Sequence, residues 1–102
     1  MQMQSVVILG GAESGVAAAL LAQSRGLEVF VSDYGKIRDA FRIELENNNI
    51  PFEEKGHDFD RILSTDVIVK SPGVPESAGI VQKARQQEKE LISEIELSLI
   101  HI

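Results

Sequence analysis

The chain has 102 residues, 16 of them acidic and 10 basic, for a formal net charge of −6, and it contains no cysteine. The acidic balance argues against a general nucleic-acid or anionic-membrane surface, because such binding depends on neutralising phosphates with Lys and Arg; the missing thiols rule out disulfides, thiolate metal sites and thiol catalysis together. No apolar run approaches the ~18 residues of a membrane span, and Met1-Gln2-Met3-Gln4 lacks the basic and apolar regions of a signal peptide, so the expectation is one cytoplasmic domain with neither nucleic acid nor membrane as a partner.

Val6-Val7-Ile8-Leu9 is apolar throughout and β-branched at three positions, as suits a strand buried on both faces. Gly10-Gly11-Ala12-Glu13-Ser14-Gly15 follows, and the run beginning at Ser14 and continuing through Val16–Ala22 predicts a helix packed against that strand. Gly10 can take a backbone conformation closed to other residues, so the chain can turn sharply off the strand, and Gly15 removes a side chain where the helix starts close to the sheet. The unpaired N–H groups and dipole of a first helical turn favour an anion by roughly 0.3–1 kcal/mol per charge. Against the dinucleotide fingerprint G-x-G-x-x-G the sequence departs at Ala12, whose methyl limits how closely a pyrophosphate approaches. Glu13 adds a carboxylate beside the anion site. The motif is therefore open to two readings, a nucleotide- or phosphate-binding turn and a purely structural one.

Arg25-Gly26 is a helix stop, and Leu27–Ser32 reads as a second strand ending at Asp33. An acidic residue about 20 positions beyond the glycines is where a nucleotide-binding βαβ unit places a hydrogen-bond acceptor for its ligand; a helix or turn cap is the competing role for Asp33. From Gly35 to Asn49 the apolar spacing of Ile37, Ala40, Phe41 and Leu45 predicts a helix. Ile50–Lys55 predicts a short strand near the sheet edge, since Pro51 cannot donate to a ladder. Gly56-His57-Asp58 is a turn whose histidine reads as a solvated loop residue with no metal-ligand spacing around it. A short helix over Phe59–Leu63 then leads to the buried strand Val67-Ile68-Val69. Ser71-Pro72-Gly73 breaks from its carboxyl end as a rigid turn, structural or else carrying a hydroxyl and a backbone N–H free for a ligand on the same side as the glycine turn.

Pro75–Glu88 predicts a helix with Ile80, Val81 and Ala84 inward, and Leu91-Ile92 a last strand. Ser93-Glu94-Ile95-Glu96 has the capping-box form, so a helix should restart there; its two glutamates are accounted for by a helix start, not by acid/base chemistry. The alternation of strands and helices predicts an α/β fold, a Rossmann-like parallel β-sheet of about five strands with helices on both faces and right-handed crossovers. The final helix is only begun when Ile100-His101-Ile102 is reached, an apolar end with little to pack against, which reads as a cut.

The opening V-V-I-L-G-G-A-E-S-G-V-A-A-A, the S-D at Ser32-Asp33, K-S-P-G-V-P at Lys70–Pro75 and I-S-E-I-E-L at Ile92–Leu97 together resemble the Mur ligases of bacterial cell-wall synthesis, in the branch that adds D-glutamate to UDP-N-acetylmuramoyl-L-alanine. The resemblance implies that residues 1–93 form a UDP-binding domain and residues 94–102 the start of a helix leading to a central ATPase domain. It implies that Glu13, Ser14 and Gly15 meet the nucleotide diphosphate, that Asp33 accepts from the uracil ring, that Tyr34 lines the same pocket and that Ser71, Pro72 and Gly73 close it. Family chemistry uses ATP and Mg on a G-x-x-x-x-G-K-[ST] loop in the central domain, and D-glutamate binds the carboxy-terminal domain; here Val16 follows the glycine turn and no such loop occurs. The expectation is thus a substrate-binding domain with no catalytic residue, cofactor or metal of its own. An NAD(P)-binding domain of a dehydrogenase or redox-sensing regulator, and a Rossmann-like interaction module without a nucleotide, are the alternatives.

Overall fold

The structure, a computed structural model, describes residues 3–100; Met1 and Gln2 of the amino-terminal reading and His101-Ile102 of the apolar end lie outside them. Five strands, β1 (Ser5–Leu9), β2 (Glu28–Ser32), β3 (Phe52–Glu53), β4 (Val67–Lys70) and β5 (Leu91–Ser93), alternate with α1 (Glu13–Ser24), α2 (Asp39–Asn47), α3 (Phe59–Leu63) and α4 (Gly79–Gln86), and α5 (Glu94–Leu99) follows β5. Every pairing is parallel and the sheet order is β3-β2-β1-β4-β5. The first strand is therefore the central one, with Val6 opposite Val29 on one side and Val67 on the other.

Strand alternation divides the core in two. Val6, Ile8, Val29, Val31, Val67 and Val69 pack with residues of α1, α2 and α5, including Val16, Ala19, Leu45 and Leu97. Val7, Leu9, Phe30 and Ile68 face the other way, against Ile62 of α3 and Ile80, Val81 and Ala84 of α4. Both faces are covered, which is why the strands read as continuous apolar runs; each fully buried Val, Leu or Ile contributes about 1.5–3 kcal/mol. Alanines at 18, 19 and 22 are buried on α1, so the helix lies close to the sheet while keeping the highest helical propensity.

Three expected boundaries move inward, each for a tertiary reason. The helix expected from Gly35 begins at Asp39, because Gly35 N–H donates to Asp33 Oδ1 (2.9 Å), Ile37 N–H to Glu54 Oε1 (2.8 Å), and Gly35 carbonyl accepts from Lys55. Those bonds hold residues 35–38 out of the helix. The helix expected from Pro75 begins at Gly79, since Ala78 N–H closes a turn on Pro75 carbonyl. The strand expected over Ile50–Lys55 pairs only at Phe52–Glu53; Lys55 has a positive φ of 61°, which ends extended structure.

Helices α1, α2 and α4 close alike. The residue after each C-cap takes positive φ (Gly26, 82°; Asn49, 57°; Glu88, 54°), and the next N–H returns to the helix, Leu27 to Ala22, Ile50 to Leu45 and Lys89 to Ala84, the Schellman arrangement. The expected capping box of α5 is present in both halves, Ser93 Oγ accepting from Glu96 N–H and Glu96 Oε1 from Ser93 N–H, each at 3.1 Å. Arg25 reaches further than its place at the end of α1 indicates: Nη1 donates to the carbonyls of Leu97 and Ile100 and Nη2 to that of Ser98. With Leu97 buried, this guanidinium docks α5 against α1. Among the described residues no helix is long and apolar enough to cross a membrane.

Candidate functional site

The carboxyl ends of β1, β2 and β4 converge on one crevice, where the strand order reverses between β1's two neighbours, the usual position for a ligand in an open α/β sheet. Gly10, at φ 103°, turns the chain off β1 while its N–H still donates to Ser32 carbonyl at 2.9 Å. The following helix passes so close over this turn that a Cβ on Gly15 would stand 1.8 Å from Gly10 carbonyl oxygen. The first helical bond runs from Val16 N–H to Ala12 carbonyl, and Ala12 offers no capping side chain. The N–H groups of Glu13, Ser14 and Gly15 are thus left without helical acceptors at the positive end of the dipole. Glu13 and Ser14 are exposed there, and Gly15 is buried.

Asp33 is brought to the same turn. Its Oδ2 accepts from Gly11 N–H at 2.8 Å and its Oδ1 from Gly35 N–H at 2.9 Å, so the carboxylate ties the glycine turn to the loop after β2. Both roles left open for it thus remain chemically available: it fixes the turn, and it stands at the mouth of two clefts. One cleft, of about 490 Å³, is lined by Gly10, Asp33, Tyr34, His57, Gly73 and Val74 among others. The other, of about 330 Å³, is lined by Gly11, Ala12, Glu13, Asp33, Lys36 and Arg38 among others. Spacing does not single out Lys36 and Arg38, because it predicts helix over residues 35–38; outside the helix, they bring two cations beside the first turn of α1. A further cleft, of about 540 Å³, lies at the opposite end of the strands, between Ser5, Glu28, Pro51 and Thr65, away from the glycine turn.

Of the two roles open to the Ser71 turn, the structural one has its bonds in place. Ser71 is buried, its N–H donates to Leu9 carbonyl at 3.1 Å, and its hydroxyl donates to Glu94 Oε2 at 3.0 Å, so it joins β4 to the start of α5 and packs beneath Gly10 and Gly15. Pro72 and Gly73 are exposed beyond it, and a Cβ on Gly73 would meet nothing within 4 Å. Lys70 Nζ donates to Val74 carbonyl at 2.6 Å, which with the Val74 N–H to Ser71 carbonyl bond makes this wall of the cleft rigid.

His57 belongs to the cleft as well, contrary to its reading as a solvated loop residue. Its Nδ1 lies 2.6 Å from Oγ of Ser32, a residue with no exposed surface, and its ring is 6.0 Å from that of Tyr34, tilted by 44°. Tyr34 is 79% exposed, so one face of it is open to a ligand. Burial holds the imidazole below its ordinary pKa, against the opposing pull of Glu53 and Asp33. No local pattern could have found this contact, because Ser32 precedes His57 by a whole βαβ unit. Among the described residues no group of three His, Cys, Asp or Glu side chains is arranged to hold a metal.

A family profile described as the MurD N-terminal domain matches residues 5–80. UDP-N-acetylmuramoylalanine–D-glutamate ligase of Cytophaga hutchinsonii is 50% identical over 99 residues, covering 97% of this chain and 22% of that protein. The ligase of the same name from Porphyromonas gingivalis is 50% identical over 93 residues, covering 91% and 21%. Among solved structures, a pseudomurein peptide ligase type C from Methanothermus fervidus superposes with a TM-score of 0.78 at 25% identity over 97% of this chain and 20% of that one. UDP-N-acetylmuramate-alanine ligase of Thermotoga maritima superposes with a TM-score of 0.74 at 21% identity over 93% and 21%. The chain spans about a fifth of the length of the curated relatives it matches.

Proposed function

Because this chain belongs to the MurD N-terminal domain family of the Mur ligases, we propose that it is the substrate-nucleotide domain of a ligase that adds D-glutamate to UDP-N-acetylmuramoyl-L-alanine in peptidoglycan synthesis, and that it binds the uridine diphosphate moiety. The observation that carries this reading is the convergence of the glycine turn, Asp33-Tyr34 and the Gly73-Val74 loop on one crevice at the carboxyl ends of three parallel strands. In this reading the diphosphate lies against the N–H groups of Glu13–Gly15 with Lys36 and Arg38 nearby, and the base enters the cleft beside Tyr34. Residues 94–102 lead into central and carboxy-terminal domains of the same chain, and the whole protein works in the cytoplasm.

ATP and magnesium belong, in the same reading, to those further domains. The residues present here do not fit a triphosphate-magnesium site: the position after the glycine turn is Val16, whose side chain is buried in the core, where a phosphate-binding loop needs a lysine. No catalytic step is therefore derived through this domain.

Titration of the isotopically labelled chain with UDP, and separately with NAD, followed by amide shifts, tests the assignment. Expected are shifts at Glu13–Gly15, Asp33–Tyr34, Ser71 and Gly73 with UDP and none with NAD. Shifts with NAD in preference to UDP would sink the reading in favour of a dinucleotide domain, which Ala12 disfavours.

A further inference from the structure

Ser32 has one hydroxyl proton and two neighbours that compete for it. Glu53 Oε2 lies 2.7 Å from Ser32 Oγ and also accepts from Asp58 N–H at 2.8 Å; an ionised carboxylate accepts only. The hydroxyl proton therefore goes to Glu53, and the 2.6 Å contact between Ser32 Oγ and His57 Nδ1 needs a proton from the imidazole. That places the hydrogen of the neutral ring on Nδ1 and leaves a lone pair on Nε2. Nε2 has no hydrogen-bond partner among the described residues, and no unpaired buried side-chain nitrogen or oxygen is found among them either, so it is open to the cleft that His57 lines with Tyr34.

We propose that His57 is a specificity-determining residue for the base of the bound nucleotide, its Nε2 accepting a ring N–H of the uracil type. The inference rests on the functional reading above and adds a residue and a chemical requirement to it: the base must carry an N–H donor on the edge it presents to the cleft. Asp33, the acceptor implied by the resemblance, already holds two backbone amides, Gly11 on one oxygen and Gly35 on the other, whereas Nε2 holds none. The charged groups facing the ring are Glu53 at β3 and Asp33 at the end of β2, with Asp58 at the start of α3 held off by its bond from Arg61 N–H. Both carboxylates favour protonation and are outweighed by burial, so the ring is neutral at pH 7 and its lone pair is available.

The proposal fixes two measurable quantities. In the ligand-free chain, long-range nitrogen–proton correlation spectra should show the Nδ1–H tautomer of His57, and the Nε2–H tautomer overturns the proposal without any ligand being added. In binding, UDP should be preferred to CDP, whose ring nitrogen at the same edge is an acceptor, and His57→Phe should reduce that preference by roughly three- to ten-fold, the worth of one neutral hydrogen bond. Phenylalanine keeps a flat ring in the wall of the cleft, so a residue that only packs would lose UDP and CDP affinity alike. An unchanged ratio in His57→Phe, with UDP still shifting Glu13–Gly15, overturns this inference and leaves the functional reading standing. Failure of UDP to shift the glycine turn in the natural chain overturns both.

Discussion

Gly15 and the carbonyl oxygen of Gly10 are in a contact that no side chain can enter, since a Cβ on Gly15 would lie 1.8 Å from that oxygen. The neighbour is backbone and cannot swing aside. Gly15→Ala should therefore lower stability by about 3 kcal/mol or more, the upper end of what overpacking costs, measured by urea unfolding. Gly11→Ala is the milder case: its Cβ would meet Cδ1 and Cγ1 of the buried Ile37 at 2.8 and 2.9 Å, a side chain and not backbone, so a smaller loss of about 1–2 kcal/mol is expected.

Asp33 separates into two contributions by substitution. Asparagine keeps one acceptor and turns an amide group toward the second of the two N–H groups held by the carboxylate. Asp33→Asn should destabilise the chain by about 1–3 kcal/mol, the effect of leaving a buried donor unpaired, and hydrogen exchange should quicken at Gly11 or Gly35. UDP affinity should fall with it; affinity lost without faster exchange would show that the carboxylate serves the ligand alone.

Arg25 holds three carbonyls at the end of α5 from the end of α1. Arg25→Ala should cost about 1–2 kcal/mol and raise exchange at Leu97–Ile100 while leaving β1 and β4 protected. Equal loss of protection throughout would mean that α5 opens only with the whole domain.

The depressed pKa of His57 links stability to pH. The unfolded chain binds the proton at the ordinary value near 6.5 and the folded chain only at lower pH, so between the two values the unfolded state holds more protons and is favoured. Stability should decline as pH falls from about 6.5 toward the folded value and level off below it. His57→Gln, which does not titrate, should remove this segment of the profile in thermal melts.

Glu88 occupies a left-handed position at φ 54° where α4 closes, the place glycine takes at the end of α1. Glu88→Gly should stabilise the chain by about 1 kcal/mol, read as a raised urea midpoint with an unchanged slope.

The strands, their alternation with helices and the capping of α5 were legible because each depends on residues close together: β-branched runs, glycine punctuation, Ser93 with Glu96. The late starts of α2 and α4 were not: the bonds that hold residues 35–38 out of α2 come from Asp33 and Glu54, a turn on Pro75 delays α4, and propensity carries no trace of either. Asp33 and the glycine turn announced the crevice through their spacing. Ser71 was legible as a position with its chemistry left open, since Glu94, which takes its proton, follows in sequence only after α4 and β5. His57 joined one cleft and Lys36 the other through the folding of separate segments, and only the assembled sheet brings them there.

Placing the first strand at the centre of the sheet has a consequence for synthesis. As the chain leaves the ribosome β1 emerges first, but its two edges are satisfied only by β2 and then by β4, with Val6 waiting for Val67. Until Lys70 is out, the most apolar strand has one edge bare, and such an edge recruits other strands. Parallel pairings of this separation form slowly, so the interval between the emergence of Leu9 and that of Lys70 is when the bare edge is most open to wrong pairing.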